Sequence, residues 1–275
     1  MGKLASERGR VIHKVVYELR YEHGFTYLDR CGATINGIVK SDPQWNPDPP
    51  NPGAVSLRHA ETNAVFSFGV RKLDLSQEIT VHTGKLMTNN DFAELSESLT
   101  GEVVKHLDLE SFTRMGFRIW TLFGRSSFQD ARKSVKNAGL VRYSDIESLE
   151  DVEEVEGVGF NAVVSRKRCS TRIAVAAVKQ ETGVDAETRR LSKEVPYKHE
   201  SDERKSILRN KIRAKKLIEA LPEYAVLVDM DHSLENPPDA MMPDTIRDFI
   251  LSGYEWSEKH SQHFIHPPPT NRDKE

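Results

Sequence analysis

Alternating apolar and polar residues, many of them β-branched, run through much of the first half of the chain. The first run, VIHKVVYELRY at 11–21, has the period of two that is typical of a strand with one solvated face. Two later runs flank residues 61–63 and predict a β-hairpin, which a further run extends into an antiparallel meander. We therefore predict strands at 11–21, 54–60, 64–70, 73–81 and 112–123.

Helical spacing of apolar residues predicts two helices in the same half. One covers 25–40, and the other covers 92–107 after a capping pattern in which Asp91 precedes a glutamate by three residues. Five prolines fall within 41–53, where they remove backbone donors and fix an extended loop, so we predict no regular element there. The first half therefore reads as β-α-β-β-β-α-β.

The second half begins with another helix and returns to strands after an acidic run at 145–156. Residues 181–200 are polar and contain Gly183 and Pro196, which predicts a loop or a mobile arm. The remaining elements follow from periodicity and from capping residues. They are a short helix at 127–138, two long strands within 159–179, a helix at 202–220 capped by Ser201, a strand at 223–232 and a helix from Pro243 to about 264.

This order of elements predicts an α+β fold with a mainly antiparallel sheet and with helices packed on one face. The order also suggests two degenerate β-α-β-β-α-β-like halves, although no residue-level repeat is present. We assign 1–124 to the first α+β half and 125–266 to the second, which includes the arm at 181–200. Residues 267–275 are expected to form a disordered tail.

Composition narrows the classes of function. The 275 residues are 37% hydrophobic and 29% charged with a net charge of -3, which argues against a surface built entirely for nucleic acid. Cys31 and Cys169 are too few for a disulfide framework or a thiol metal cluster, and they fit a reducing compartment. Since neither a targeting segment nor a membrane-spanning run is evident, we expect a cytoplasmic protein that needs no cofactor.

Two candidate metal sites lie near the end of the chain. The stretch VLVDMDHSL resembles the opening of an aspartate-based phosphatase of the haloacid-dehalogenase type, in which a pair like Asp229 and Asp231 shares Mg²⁺. Only 44 residues follow Asp231, and no doubly wound parallel sheet precedes it. Either the two acids face solvent or an arginine at a strand end, or they form a metal or partner site. His260, His263 and His266 recur every three residues. This spacing fits either a metal site on one helix face or histidines placed at a helix C-terminus, where the helix dipole favours them.

Two other features are candidates for binding a partner. Lys205, Arg209, Arg213 and Lys216 fall at helical spacings and form one basic stripe in an otherwise acidic chain. Such a stripe either engages phosphates or an acidic protein face, or it is a solvated helix face. Trp45 lies in the proline-rich loop, where its ring either recognises a partner or anchors the loop to its own domain.

The whole-chain pattern resembles a sporadically distributed set of prokaryotic proteins of unknown function and of similar length. The shared pattern opens with a strand like KVVYELRY, passes through a meander and ends with an Asp-containing strand like YAVLVDMDHSL and a long helix. The resemblance implies a duplicated α+β unit and a role in accessory systems such as phage defence or toxin-antitoxin modules.

We expect a non-enzymatic protein-binding or assembly component that uses the sheet edge, the arm and the Trp45 loop. The first alternative is a nucleic-acid-associated factor that uses the basic helix at 202–220. The second alternative is a metal-dependent hydrolase that uses Asp229 and Asp231.

Overall fold

The computed structural model describes residues 9–22, 24–49, 51–79, 85–138, 159–166, 169–180, 183–195, 198–213, 221–237 and 243–265. Within these ranges the strands are β1 (Arg10–Tyr21), β2 (Trp45–Pro47), β3 (Ala54–His59), β4 (Val65–Gly69), β5 (Lys72–Glu78), β6 (Phe112–Arg125), β7 (Gly159–Arg166), β8 (Cys169–Lys179) and β9 (Tyr224–Glu235). The α-helices are α1 (Tyr27–Ser41), α2 (Asn89–Leu107), α3 (Phe128–Asn137), α4 (Gly183–Glu194), α5 (Ser201–Arg213) and α6 (Pro243–His260). Short 3-10 helices at Gly24–Thr26 and Ser261–Phe264 precede α1 and follow α6.

All the described strands belong to one sheet, in the order β2-β3-β4-β5-β1-β6-β9-β8-β7. Every pair of neighbours is antiparallel, and short connections join the consecutive pairs β2-β3, β3-β4, β4-β5 and β7-β8. The two predicted halves meet where β9 pairs along its full length with residues Arg114 to Arg125 of β6. The predicted α+β fold with an antiparallel sheet is confirmed, and strands from 1–124 and 125–266 share a single sheet.

Helices α1, α2, α3 and α6 contribute to the same hydrophobic core as one face of the sheet. Alternation along the strands places residues such as Tyr17 and Phe117 on this face, where they are fully buried. The Phe117 ring lies 4.7 Å from Tyr254 of α6 and 6.3 Å from Phe92 of α2, measured between ring centroids. Burial of these large side chains is the main favourable contribution to the two-layer packing.

The arm predicted at 181–200 instead contains helix α4. The helix forms because Gly183 and Pro196 lie at or beyond its two ends and do not interrupt it. Leu191 and Val195 are buried against Leu208 of α5, so the two polar helices pack as a hairpin with a small core of its own. This hydrophobic contact overrides the unfavourable composition on which the loop prediction was based.

Two smaller predictions for the first half are also corrected. The proline-rich segment contains β2, which pairs with β3 through Trp45 and His59 and carries Pro47 at the sheet edge. Helix α2 is capped by Thr88, whose side chain accepts a hydrogen bond from the backbone N–H of Asp91 at 3.2 Å. Residues 214–220 and 267–275, predicted as the end of a helix and as a disordered tail, lie outside the described residues.

Candidate functional site

Asp229 and Asp231 lie in the middle of β9 and point away from the face that the core helices cover. Arg118 on the neighbouring strand binds Asp229 through Nε at 2.8 Å, and this hydrogen bond raises the pKa of the Arg118 guanidinium. Arg114 donates to both carboxylate oxygens of Asp231 at 3.1 Å. The two acids therefore face neighbouring arginines, as one of the sequence alternatives predicted, but they do so from the middle of β9 and not from a strand end.

The Arg114 side chain connects three strands. It also donates to Glu18 of β1 at 2.9 Å, so one guanidinium bridges β1 and β9 across β6. Gly116 makes this crossing possible, because a Cβ atom there would lie 2.7 Å from Arg114 Nη1. These ion pairs connect β1, β6 and β9 on the polar face at the centre of the sheet.

The metal hypotheses find little support in this geometry. A cation at Asp229 and Asp231 would first have to displace both arginine pairs. His260 and His263 lie with their Nδ1 atoms 3.4 Å apart, whereas His266 is outside the described residues. In the described part of the chain, no group of three His, Cys, Asp or Glu side chains is arranged to hold a metal ion.

Trp45 does not present its ring to a partner. Its side chain is 2% exposed and packs at 5.0 Å, edge to face, on the imidazole of His59 and at 6.3 Å on Phe66. His59 is held in turn by Asp42, whose carboxylate lies 3.0 Å from the imidazole Nε2. The partner-loop prediction for Trp45 is therefore corrected: the residue anchors the proline-rich segment to the body of the sheet.

The predicted basic stripe is only partly described. Lys205 and Arg209 lie on α5 with exposed side chains, and Lys205 forms a loose pair with Asp202 at 3.7 Å. The backbone of Arg213 ends the helix, but its side chain and the whole of Lys216 lie outside the described residues. Exposed lysines on the same hairpin extend the basic surface, namely Lys193, Lys198 and Lys211.

A buried polar cluster that the sequence analysis did not anticipate surrounds His232 of β9. The imidazole is fully buried, with its Nε2 2.9 Å from the Ser257 hydroxyl of α6. Its Nδ1 lies 2.9 Å from Thr171 Oγ1 and 3.1 Å from Arg166 Nη2. Because arginine can only donate, Nδ1 is the acceptor and Nε2–H donates to Ser257.

This cluster differs from a serine-histidine catalytic pair. Burial, reinforced by the nearby Arg166 charge, lowers the pKa of His232 to about 3, so the ring is neutral at physiological pH. Among the described residues no carboxylate orients the imidazole, and both His232 and Ser257 are inaccessible to a substrate. The burial of His232 could have been predicted from its position in the strand, since it lies on the same face as Val228 and Met230 and on the opposite face from the two aspartates.

The two edges of the sheet are built differently. At one edge, β2 is only three residues long, includes Pro47 and has Trp45 packed beneath it. At the other edge, β7 is eight residues long and, among the described residues, pairs only with β8. The sequence of β7, GFNAVVSR, contains no proline and no charge before its last residue. Its outer N–H and C=O groups are therefore a template for another strand.

Side chains around β7 add to the character of this edge. Val163 is 70% exposed. Arg172, the residue paired with Val163 on β8, is also exposed. Arg166 ends the strand, with its guanidinium 4.4 Å from the ring centre of Trp256. The edge thus combines an apolar contact point with two arginines.

Two further observations bear on function. None of the helices in the described residues is long and apolar enough to cross a membrane. Comparison with known proteins finds no family model, no curated protein and no solved structure that matches the chain.

Proposed function

We propose that the protein is a non-enzymatic protein-binding or assembly component that takes up an extended segment of a partner as an additional strand along β7. The observation that carries this proposal is an eight-residue edge strand without proline or an early charge. Proteins commonly protect such edges with lysines, prolines, bulges or very short strands. An edge without these features is suited to β-strand addition, in which backbone hydrogen bonds supply affinity.

Specificity in strand addition comes from the side chains that alternate along the edge. Gly159, Asn161, Val163 and Ser165 are exposed, and the residues between them are partly buried on the helix-covered side. A partner strand would therefore bring an apolar side chain against Val163 and small polar side chains against its neighbours. Covering Val163 would remove apolar surface from water, a favourable contribution in addition to the backbone pairing.

The experiment is a selection from a displayed library of random peptides against the wild-type chain and against Val163→Lys. We expect the wild type to enrich extended peptides that slow amide hydrogen exchange at 159–166. We expect Val163→Lys to lose this enrichment, because a protruding charge on an edge strand opposes pairing. Val163→Thr is the matched control, since threonine keeps the β-branched shape and should retain binding.

Both variants should fold, since Val163 is exposed; each is expected to change the free energy of unfolding by less than about 0.5 kcal/mol. Peptides that bind both variants equally, or that protect amides elsewhere but not at 159–166, would rule out strand addition at β7.

A second candidate function is supported by the α4-α5 hairpin. Between 183 and 213 the sequence has nine Lys and Arg against six Asp and Glu, in a chain whose net charge is -3. Exposed basic residues on two packed helices form a local polycation that can contact nucleic-acid phosphates. The proposal is therefore that this hairpin associates with DNA or RNA.

Charge reversal tests this candidate. Lys205→Glu combined with Arg209→Glu should abolish salt-sensitive binding to a generic duplex or single strand, measured by fluorescence anisotropy at several salt concentrations. Lys40→Glu, on the exposed end of α1, is the control for net charge. Equal binding by the reversed hairpin and by the control would end the nucleic-acid proposal.

A further inference from the structure

Arg166, at the end of β7, has an unusual set of contacts for a half-buried arginine. Its guanidinium stacks on Trp256 at 4.4 Å and donates to the neutral His232 ring at 3.1 Å. It also lies 3.4 Å from Cys169 Sγ, and its buried Nε has no hydrogen-bond partner among the described residues. None of these contacts supplies a negative charge, although an arginine normally meets a carboxylate or phosphate at such a position.

Arg166 and Lys259 place positive charge near this end of the strand. His260 contacts Trp256 at 4.6 Å, and His263 contacts His260 at 5.4 Å, between ring centroids. The pKa of His260 is lowered by burial and by the neighbouring His263, Lys259 and Arg166, which favours the neutral form of its ring. Among the described residues no carboxylate forms an ion pair with Arg166, and Glu258, the acid nearest in sequence to His260, is paired with Arg10. The surroundings therefore favour an incoming anion.

The polar face of the same edge also carries a positive charge without a paired acid in the described residues. Arg172 is exposed next to Val163, across the β7-β8 pair. In the described ranges it makes no ion pair, because Asp231, its register neighbour on β9, is held by Arg114. Both sides of the β7 edge thus offer an arginine, and β7 itself contains no acidic residue.

We propose that the partner strand is acidic, with an aliphatic residue opposite Val163 and an aspartate or glutamate opposite Arg166. The two positions are three residues apart, so their side chains fall on opposite faces of the added strand, as those of Val163 and Arg166 do on β7. A second copy of β7 fits less well, since it would present arginine again and no carboxylate. This inference rests on the proposed strand addition and specifies its partner.

Three synthetic peptides test the inference on the wild-type chain. All are extended and rich in valine and threonine around a central valine. The first has a glutamate three residues from this valine. The second has glutamine at the same position, and in the third the glutamate is moved by one residue. We expect the first peptide to bind about tenfold more tightly than the other two, as a charge-assisted hydrogen bond would produce. The shifted glutamate turns to the face of Val163, where the arginine is Arg172 of β8, one strand further from the added strand, so it should lose most of the gain and should not respond to Arg166→Gln.

The readouts are the dissociation constant from calorimetry, quenching of Trp256 fluorescence and amide exchange at 159–166. The difference in affinity between the first peptide and the glutamine peptide should decrease as salt is raised. In the Arg166→Gln variant the two affinities should agree to within about twofold. Equal affinity of the glutamate and glutamine peptides, with exchange at 159–166 slowed by both, would overturn the acidic partner and leave strand addition intact. No protection by any peptide would overturn strand addition itself, and a peptide-free dimer with protected β7 would identify a second copy as the occupant.

Discussion

The sheet has one protected edge and one open edge, and the contrast separates residues that stabilise the fold from residues available for recognition. At β2 the edge is short, contains Pro47 and is fixed by the buried Trp45. At β7 the edge is long, has a free outer side among the described residues and exposes Val163. A chain under selection against aggregation protects such an edge, so retention of the open one favours a partner.

The largest effect is expected when the protected edge is broken. Trp45→Ala would leave a cavity next to His59 and Phe66 and should lower the free energy of unfolding by about 3 to 5 kcal/mol. Val163→Ala at the open edge is the control and should cost less than about 0.5 kcal/mol. Urea denaturation of both variants measures the difference. Similar losses for the two would mean that the edges do not differ in the way described.

Two glycine substitutions compare the same two edges, with a smaller expected change in the free energy of unfolding. Next to the protected edge, a Cβ atom on Gly69 of β4 would come far too close to the backbone carbonyl oxygen of Gly53, so Gly69→Ala should destabilise by about 2 kcal/mol. On β7, a Cβ atom on Gly159 would lie 3.5 Å from the Val175 carbonyl oxygen, an ordinary contact. Gly159→Ala should therefore be nearly neutral in the same denaturation assay. A destabilised Gly159→Ala would show that β7 is more tightly constrained than its exposure indicates.

The two buried histidines differ in their partners, and His232 is expected to make the free energy of unfolding depend on pH by about 1 to 2 kcal/mol. His59, beside β2, has the carboxylate of Asp42 as a partner, whereas His232, two strands from the open edge, has no carboxylate partner in the part of the chain that the structure describes. Because burial holds the pKa of His232 at about 3 against 6.5 in the unfolded chain, only the unfolded chain gains a proton between these values. Stability contributed by neutral His232 is thus complete above pH 6.5 and is lost as the pH falls towards 3.

The measurement is urea denaturation at pH 6.5 and pH 5, where one such proton changes the free energy of unfolding by at most about 1.4 kcal/mol per pH unit. His232→Gln should remove most of this dependence, and the exposed His263→Gln should keep it. An unchanged slope in His232→Gln would refute the neutral, buried state of the ring.

Periodicity accounts for most of the elements that the sequence predicted. Strands such as β1 and β9 were found because alternation reflects one covered and one polar face, and these patterns need only local sequence. Helix α4 was missed because its stability comes from contact with Leu208, which lies outside its own sequence. Lys205 and Arg209 of the predicted basic stripe are exposed on α5, and the pattern by itself does not specify their partner.

The candidate site was less predictable, and the reason is distance along the chain. The sequence left two roles open for Trp45, partner recognition and anchoring of the loop, because its burial depends on His59 and Phe66 in later strands. The buried cluster around His232 was not predicted, although His232 lies on the same face of the strand as Val228, which already indicated burial. Asp231 meets Arg114 from 117 residues away, a pairing that no local pattern contains.

The amino-acid sequence by itself determined the alternating strands, the helices with a continuous apolar face and the overall α+β class, because each depends on side chains close together in the chain. Tertiary structure alone decided which strands became edges, which acids met arginines and which histidine was sealed in the core. Strand order arises from hydrogen bonds between segments far apart in sequence, such as β6 with β9. The open side of β7 is a consequence of that order.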